Sequence, residues 1–339
     1  MTDYAYNAWY PLAWSRDIGR DIVTRRVLEE DLAIYRTEEG GVAALEDACP
    51  HRLAPLSIGR LRGDAIQCGY HGLTFDCSGR CVIAPGMARP PESFRVRSYP
   101  TAESMGMVWV WMGDADKADR SQVFRLPQYD DPAYSVVMGD ALLVQANYLS
   151  LADNLCDPTH VVYVHQTTLA SAGREETRVQ HERQGNKVVT WRWVIDGPLI
   201  PIFEGLKDFG GNVDRWHYYH YHAPSIAVID FGSARTGTGA PEGHREDCIQ
   251  MYACHFITPI DQRSCVQHWL CIKNSPADPE IDERLRSNLR LAFNEDKRVL
   301  EAIQRNEDKP RQWHRIHLGL DGSSIKMRRI VEEMAADNP

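Results

Sequence analysis

Two short runs of cysteine and histidine constrain this chain more than any other feature of its sequence. Residues 49–51 read Cys-Pro-His and residues 68–71 read Cys-Gly-Tyr-His, with sixteen residues between the two runs. Each run supplies one thiol and one imidazole, which suits a Rieske [2Fe–2S] cluster, where two histidines replace two cysteines on one iron. The expected ligands are Cys49 and Cys68 for one iron, and His51 and His71 for the other.

A structural zinc site is the alternative, because two cysteines and two histidines also suit tetrahedral zinc. Zinc ligands usually occur with the two cysteines grouped and the two histidines grouped. Here each run carries one of each, which favours the iron–sulfur cluster. Gly69 and Gly72 permit tight turns beside the second pair.

Composition and charge exclude several classes of protein. The 339 residues are 43% apolar and 25% charged, as in ordinary globular proteins. A net charge of −9 argues against a nucleic-acid partner. The sequence has no apolar run long enough to span a membrane and no signal peptide at its start. We expect most of the nine cysteines to be buried thiols in a reducing compartment, so the expected location is cytoplasmic.

The pattern of turns and apolar residues predicts two domains. Short strands separated by glycine and proline fill residues 8–113, which is typical of a small all-β unit. A polar stretch follows, so we place the domains at 1–113 and 114–339. The second domain has segments rich in β-branched and aromatic residues, and predicted helices. The fold class is therefore predicted as α+β, an all-β domain followed by an antiparallel sheet packed by helices. The predicted strands of the second domain are 187–195, 215–230, 248–260 and 264–273, and its predicted helices are 147–165, 279–305 and 323–337.

Residues 157–165 indicate a second metal site, since they read Asp-x-x-His with a further histidine five residues on. His160 and His165 offer two imidazoles. A regular helix would place them about 140° apart. Both can therefore bind one metal only if the helix ends or distorts between them, and two incidental histidines remain the alternative.

Asp296 is the candidate third ligand, because it interrupts an apolar stripe on the helix 279–305. An uncompensated carboxylate there would be strongly unfavourable, so either a cation pairs with it or a metal binds it. Glu295 points about 100° away from the stripe. With His160 and His165, Asp296 would complete a two-histidine, one-carboxylate site suited to non-haem Fe(II). The stripe consists of Leu285, Leu289, Ala292, Leu300 and Ile303.

Taken together, these motifs resemble the oxygenase component of Rieske non-haem iron oxygenases, and they are most similar to the branch with vanillate and dicamba O-demethylases. The matching segments are 7–10, the two cluster runs, 153–165 and 294–297. The resemblance implies a helix-grip, START-like catalytic domain and a homotrimer. It also implies that Asp157 is a carboxylate bridging a cluster histidine (His71) and His160, and that Asn154 lies near the iron without binding it.

The resemblance further implies the partners and the reaction. Electrons from NAD(P)H would arrive through a separate flavin and [2Fe–2S] reductase, with or without a ferredoxin, and O₂ would be the co-substrate. The expected activity is hydroxylation or O-demethylation of a small aromatic substrate, with an aromatic acid favoured. His255 falls where dicamba-type enzymes contact a carboxylate, whereas Ser225 and Asn288 stand where those enzymes have Asn and Trp.

Two other functions stay open. Aromatic ring cis-dihydroxylation uses the same iron, and the sequence does not separate it from O-demethylation. A different class is a Rieske electron-transfer protein whose second domain binds a ligand. Such a carrier would need neither Asp296 on an apolar helix face nor Asp157 beside His160.

Overall fold

The computed structural model describes residues 4–166, 168–169 and 178–337. The chain forms two compact units, the first built around residues 1–125 and the second around 126–333. Short 3₁₀ turns connect several elements in both units. These turns are Ser15–Asp17, Leu56–Ile58, Ala115–Lys117, Arg120–Gln122, Pro127–Tyr129 and Pro201–Phe203.

The first unit is all β and consists of three small antiparallel sheets. Their strand orders are β1-β10-β9, β2-β3-β4 and β5-β6-β7-β8. An apolar core that includes Leu45, Ile66 and Phe75 joins the second and third of these sheets. The strands are β1 Ala8–Trp14, β2 Val23–Val27, β3 Glu30–Arg36, β4 Val42–Glu46, β5 Arg60–Arg62, β6 Ala65–Gln67, β7 Thr74–Phe75, β8 Cys81–Ile83, β9 Thr101–Ser104 and β10 Met107–Met112.

The second unit is a seven-stranded antiparallel sheet with helices packed against it, in the order β11-β17-β16-β15-β14-β13-β12. This architecture confirms the predicted α+β fold class. The strands are β11 Ser135–Val144, β12 Gln180–Gln184, β13 Lys187–Gly197, β14 Val213–His222, β15 Ile226–Arg235, β16 Cys248–Asp261 and β17 Ser264–Lys273. The helices are α1 Tyr148–Cys156, α2 Val161–Val164, α3 Pro279–Glu307 and α4 Gly322–Ala336.

Two predicted elements are wrong in extent. The segment 215–230 is not one strand but parts of β14 and β15, which are joined by a tight turn with a cis Ala223–Pro224 bond. The helix predicted over 147–165 is interrupted between Cys156 and Val161. Pro158 lies in this gap, and a proline disfavours helical backbone in the residue before it.

Helix α3 covers one face of the sheet and carries the acidic residue of interest. Asp278 caps its first turn by accepting hydrogen bonds from the amides of residues 280 and 281, and Pro279 occupies the first helical position. Leu285 and Leu289 pack into a core with residues of β11, β16 and β17. The predicted stripe holds except at Ile303, which is 42% exposed.

Within the described part of the chain, we find no helix with the length and hydropathy that a membrane span requires.

Gly79 closes the β7–β8 hairpin at a point where no side chain fits. Its φ is +77°, and an added Cβ would lie 2.1 Å from the carbonyl oxygen of Val96. Gly86 has a similar φ of +82° with open space around it, so it is a matched control. We expect Gly86→Ala to cost about 1–2 kcal/mol of left-handed strain. Gly79→Ala should cost about 1–3 kcal/mol more, because the backbone must move.

Chemical denaturation of the two variants, followed by circular dichroism, measures this difference. Equal unfolding midpoints for Gly79→Ala and Gly86→Ala would contradict the packing at Val96.

Candidate metal centres and the adjoining cavity

The two cysteine–histidine runs adopt the same backbone geometry. In residues 49–54 the cysteine amide donates to the carbonyl five residues later at 2.9 Å, and the amide four residues later donates to the cysteine carbonyl at 2.7 Å. Residues 68–73 repeat both bonds at 2.8 and 3.1 Å. The fifth residue of each turn has a positive φ, +57° at Leu53 and +79° at Gly72. Each loop thus presents its cysteine from the same position of the same turn, while the histidine stands third in the first loop and fourth in the second.

The loops separate their two kinds of donor. Cys49 and Cys68 are 1% and 2% exposed and belong to the apolar core of the first unit. The exposed rings of His51 and His71 lie beside each other, with centroids 4.5 Å apart. Burial, together with the neighbouring thiol of Cys68, raises the pKa of the Cys49 thiol. Metal binding must therefore displace a tightly held proton.

The geometry of the second site depends on where the chain leaves the helical conformation. Helix α1 ends at Cys156, Asp157 is extended with φ −110° and ψ 107°, and α2 is a single turn. His160 precedes α2 and His165 follows it, with φ −104° and ψ 39°. Because His165 has left the helix, its ring turns towards His160, and the ring centroids are 5.2 Å apart. The separation of about 140° expected for a regular helix is thus avoided.

Hydrogen bonds at Nδ1 determine which ring nitrogen each histidine presents. Nδ1 of His160 lies 2.5 Å from the backbone oxygen of Asp157, and Nδ1 of His165 lies 2.9 Å from Oε2 of Glu295. These oxygens accept, so each Nδ1 carries the proton. Both Nε2 atoms therefore offer a lone pair, and they lie 3.5 and 3.2 Å from Oδ1 of Asp296.

Asp296 completes a compact set of three donors. The ligand atoms of His160, His165 and Asp296 all lie within 4.8 Å of one another. Asp296 is 5% exposed and accepts a hydrogen bond from Nδ2 of Asn154 at 3.0 Å. Among the residues that the structure describes, the basic side chains within ion-pair distance of Asp296 are these two histidines. No described Lys or Arg side chain is among them. The arrangement fits a divalent metal with two imidazole ligands and one carboxylate ligand.

The two histidines differ in their affinity for protons. Burial lowers the pKa of His160, although the nearby Asp296 partly opposes this effect. Burial also acts to lower the pKa of His165, but its hydrogen bonds with Asp296 and Glu295 outweigh burial and raise the pKa. Because Nε2 of His165 can bind either a proton or a metal ion, metal binding and proton binding compete here.

Glu295 is a functional residue that sequence reasoning missed. Its position on α3, about 100° from Asp296, excludes it from the metal side but places it beside the far edge of the His165 ring. It accepts hydrogen bonds from Nδ1 of His165 at 2.9 Å and from Oγ1 of Thr168 at 2.8 Å. An outer carboxylate of this kind orients its histidine and raises its basicity. The sequence signal that could have indicated this role was the pair of adjacent acidic residues, Glu295 and Asp296, on α3.

The structure places the other predicted site residues as follows. Asn154 contacts Asp296, as described. The carboxylate of Asp157 accepts two hydrogen bonds from Thr159 at 2.7 Å, while its backbone carbonyl contacts His160. Ser225 is buried in the β14–β15 turn and Asn288 is half-buried on α3. Neither of these two lies among the residues that line the cavity described next.

A mainly apolar cavity adjoins the three donors. Its empty volume is about 630 Å³, and His160, His165 and Asp296 form part of its wall. Most of the rest comes from strands β14 to β16, helices α1 and α3 and the segment 200–202. The other lining residues are Asn154, Leu155, Val161, Leu169, Ile200, Ile202, His217, Tyr219, Ile229, Phe231, Ala253, His255, Leu289 and Phe293.

His255 is the predicted substrate residue that lines this cavity. Its Nδ1 accepts a hydrogen bond from Nε2 of Gln267 at 2.7 Å, so the ring proton is on Nε2. Nε2 is buried with no partner among the described residues. Burial lowers the pKa of His255 to about 4, so the ring is neutral near pH 7. It is a hydrogen-bond donor available to a ligand.

Removing the outer carboxylate should weaken the metal site without removing a ligand. We expect Glu295→Gln to lower the Fe(II) affinity of the metal-free second site about 10–100-fold, the usual effect of losing such a partner. Anaerobic Fe(II) titration against a coloured chelator measures this affinity. Glu283→Gln, on an exposed part of the same helix, is the matched control. Equal affinity in the two variants would contradict the role assigned to Glu295.

Comparisons with known proteins match both units. Residues 8–100 match the Rieske [2Fe-2S] domain, and residues 144–337 match the vanillate O-demethylase oxygenase C-terminal domain. The iron-sulfur subunit TsaM1 of the toluene-4-sulfonate monooxygenase system of Comamonas testosteroni is 36% identical over 88% of both chains. The vanillate O-demethylase oxygenase subunit of Pseudomonas sp. (strain HR199 / DSM 7063) is 32% identical over 97% of this chain and 94% of its own length.

Solved structures agree with these matches. Dicamba monooxygenase bound to 3,6-dichlorosalicylic acid superposes with a TM-score of 0.90 at 31% identity, covering 98% of both chains. The same enzyme with non-heme iron and dicamba gives a TM-score of 0.82 at 31% identity, again over 98% of each chain. Both domain matches, the relatives and the fold confirm the resemblance seen in the motifs. The chain therefore belongs to the Rieske non-haem iron oxygenases, as an oxygenase component of the vanillate and dicamba O-demethylase type.

Proposed function

We propose that this chain oxidises a C–H bond of a small aromatic acid, using O₂ and electrons from a separate NAD(P)H-dependent reductase. The reaction is O-demethylation where the bond belongs to a methoxy group. One observation carries this proposal: the Nε2 atoms of His160 and His165 and the carboxylate of Asp296 converge at the wall of a mainly apolar cavity. Relatives named for vanillate, dicamba and toluene-4-sulfonate, all aromatic acids, support the substrate class.

The residues fit the two metal groups that this function needs. His160, His165 and Asp296 would hold Fe(II), since they are two imidazoles and one carboxylate with both Nε2 lone pairs directed inwards. The four residues on the paired loops would hold the [2Fe–2S] cluster, with Cys49 and Cys68 on one iron and His51 and His71 on the other. When bound, the cluster supplies electrons and the single iron supplies O₂ activation.

The protein's own residues prepare this site in three ways. Asn154 holds the Asp296 carboxylate through a 3.0 Å hydrogen bond, and Glu295 holds the His165 ring through a 2.9 Å one. The apolar wall excludes water from the reacting centre. His255 offers a neutral N–H to an acceptor on the substrate.

The assembly and the location extend the same proposal. We assign a homotrimer on the family resemblance, with Asp157 as the carboxylate that connects the two metal centres between protomers. All nine cysteines are free thiols, which suits a reducing cytoplasm. Light scattering on the purified protein measures the assembly directly.

Replacement of the carboxylate ligand tests the site. We expect Asp296→Ala to abolish product formation and to lose one iron per chain, because two histidines alone hold the metal poorly. Its visible Rieske spectrum and the two irons and two sulfides of the cluster should persist. Asp140→Ala, at an exposed surface pair, is the control. Full turnover by Asp296→Ala with a Rieske reductase would refute the mononuclear site.

Product analysis tests the reaction itself. Methoxybenzoates incubated with the anaerobically purified protein, a reductase, NADH and O₂ should release formaldehyde in proportion to the NADH consumed. A cis-diol without formaldehyde would show ring dihydroxylation and would overturn O-demethylation.

A further inference from the structure

Strand β14 lines the cavity and pairs with strand β13, which carries a buried arginine, Arg192. Residues Arg215, His217 and Tyr219 alternate along β14, so their side chains share one face of the sheet. His217 and Tyr219 line the cavity. Burial raises the pKa of Tyr219 to about 12, and its hydroxyl lies within the electrostatic influence of both Arg192 and Asp296. Both charged groups are therefore near Tyr219.

Arg192 is a buried cation on the strand next to this cavity wall. It pairs with His217 in the β13–β14 ladder, so the two side chains lie side by side on the cavity face. Arg192 is 8% exposed, and its Nε has no hydrogen-bond partner. Within residues 4–166, 168–169 and 178–337, the structure shows no acidic side chain in an ion pair with it. A buried cation of this kind is stabilised if an anion binds beside it.

His217 lines the cavity, so a ligand can contact its ring. Its Nδ1 is buried without a hydrogen-bond partner, and its ring is nearly parallel to that of Phe231, at 5° and 6.4 Å. Burial, with the neighbouring Arg192 and Arg215, holds the pKa of His217 well below its ordinary value. The ring is therefore a neutral group beside the Arg192 cation, and an anion in the cavity could contact both.

We propose that Arg192 and His217 form an anion-binding pole of the substrate site. The carboxylate or sulfonate of the substrate binds at this pole, and the carbon to be oxidised points towards His160, His165 and Asp296. This inference rests on the proposed function and names the orientation of its substrate. The reversed orientation is disfavoured, because it would leave the buried Arg192 cation without an anion and place the acid group, rather than the carbon to be oxidised, at the metal site.

The spacing of His217 and Tyr219 favours an aromatic substrate whose acid group and oxidisable methyl or methoxy group are para to each other. His217 and Tyr219 are two residues apart along β14, which is about 7 Å in a strand. One benzene ring between an anion at His217 and a methyl or methoxy group beyond Tyr219 fits this spacing. His255, whose side chain lies within the electrostatic influence of Asp296, would then meet a neutral oxygen near the reacting carbon rather than the acid group.

Binding of a matched acid and amide tests this orientation without turnover. The iron-loaded protein is titrated anaerobically by calorimetry with 4-methoxybenzoate and with 4-methoxybenzamide. We expect the native protein to prefer the acid. Arg192→Gln should weaken acid binding about 10–100-fold, as expected for the loss of a charged hydrogen bond, and leave amide binding unchanged. Arg192→Lys should restore part of the preference.

Two further variants make the test specific. Arg245→Gln removes an arginine on the opposite face of the same sheet. Its guanidinium carbon lies 4.6 Å from the centre of the Trp216 ring. This control should keep the acid preference. His217→Phe should weaken acid binding while preserving the flat ring against Phe231.

The outcomes separate the two hypotheses. An unchanged acid preference in folded Arg192→Gln, or an equal loss of acid and amide binding, would overturn the anion-binding pole. If the acid binds with the expected preference but no product forms with reductase and O₂, the proposed function fails while the pole stands. Formation of product without any acid preference would support the proposed function and overturn the anion-binding pole.

Discussion

The burial of one carboxylate organises the second unit. Asp296 lies on the packed face of α3 among leucine and alanine side chains, where an ionised group without compensation would be strongly unfavourable. Two imidazoles and the Asn154 amide compensate it. For this to occur, the chain must leave the helix before His160 and again at His165, and the apolar face of α3 must rest on the sheet. The break between α1 and α2, the packing of α3 and the cavity beside them therefore all depend on the burial of this carboxylate.

Much of this could be predicted from sequence because the relevant signals are local. The Cys-x-His and Cys-x-x-His runs define the first unit, and the apolar spacing on α3 singled out Asp296 before any geometry was known. The need for a break between His160 and His165 also followed from helix periodicity. What the sequence left open was where the chain breaks, and the backbone at Asp157 and Pro158 now shows it.

Other features depend on contacts between residues that are distant in sequence, so local patterns could not reveal them. The turn at residues 223–225 interrupts a run of strand-forming residues that looks continuous, because both of its strands share the same composition. Glu295 points away from the metal and becomes meaningful only when α3 is placed beside His165. The pairing of Arg192 with His217 is a matter of strand register, which a single sequence does not specify.

The two histidines differ in whether a substitution can remove the hydrogen-bond acceptor at Nδ1. A backbone carbonyl, that of Asp157, fixes the ring of His160, so no side-chain substitution at that position removes the acceptor itself. A glutamate fixes the ring of His165, and a glutamate can be exchanged. One ligand is thus set by the course of the chain, and the other can be adjusted by a single codon. Relatives with this fold could retune the metal through position 295 while every ligand stays the same.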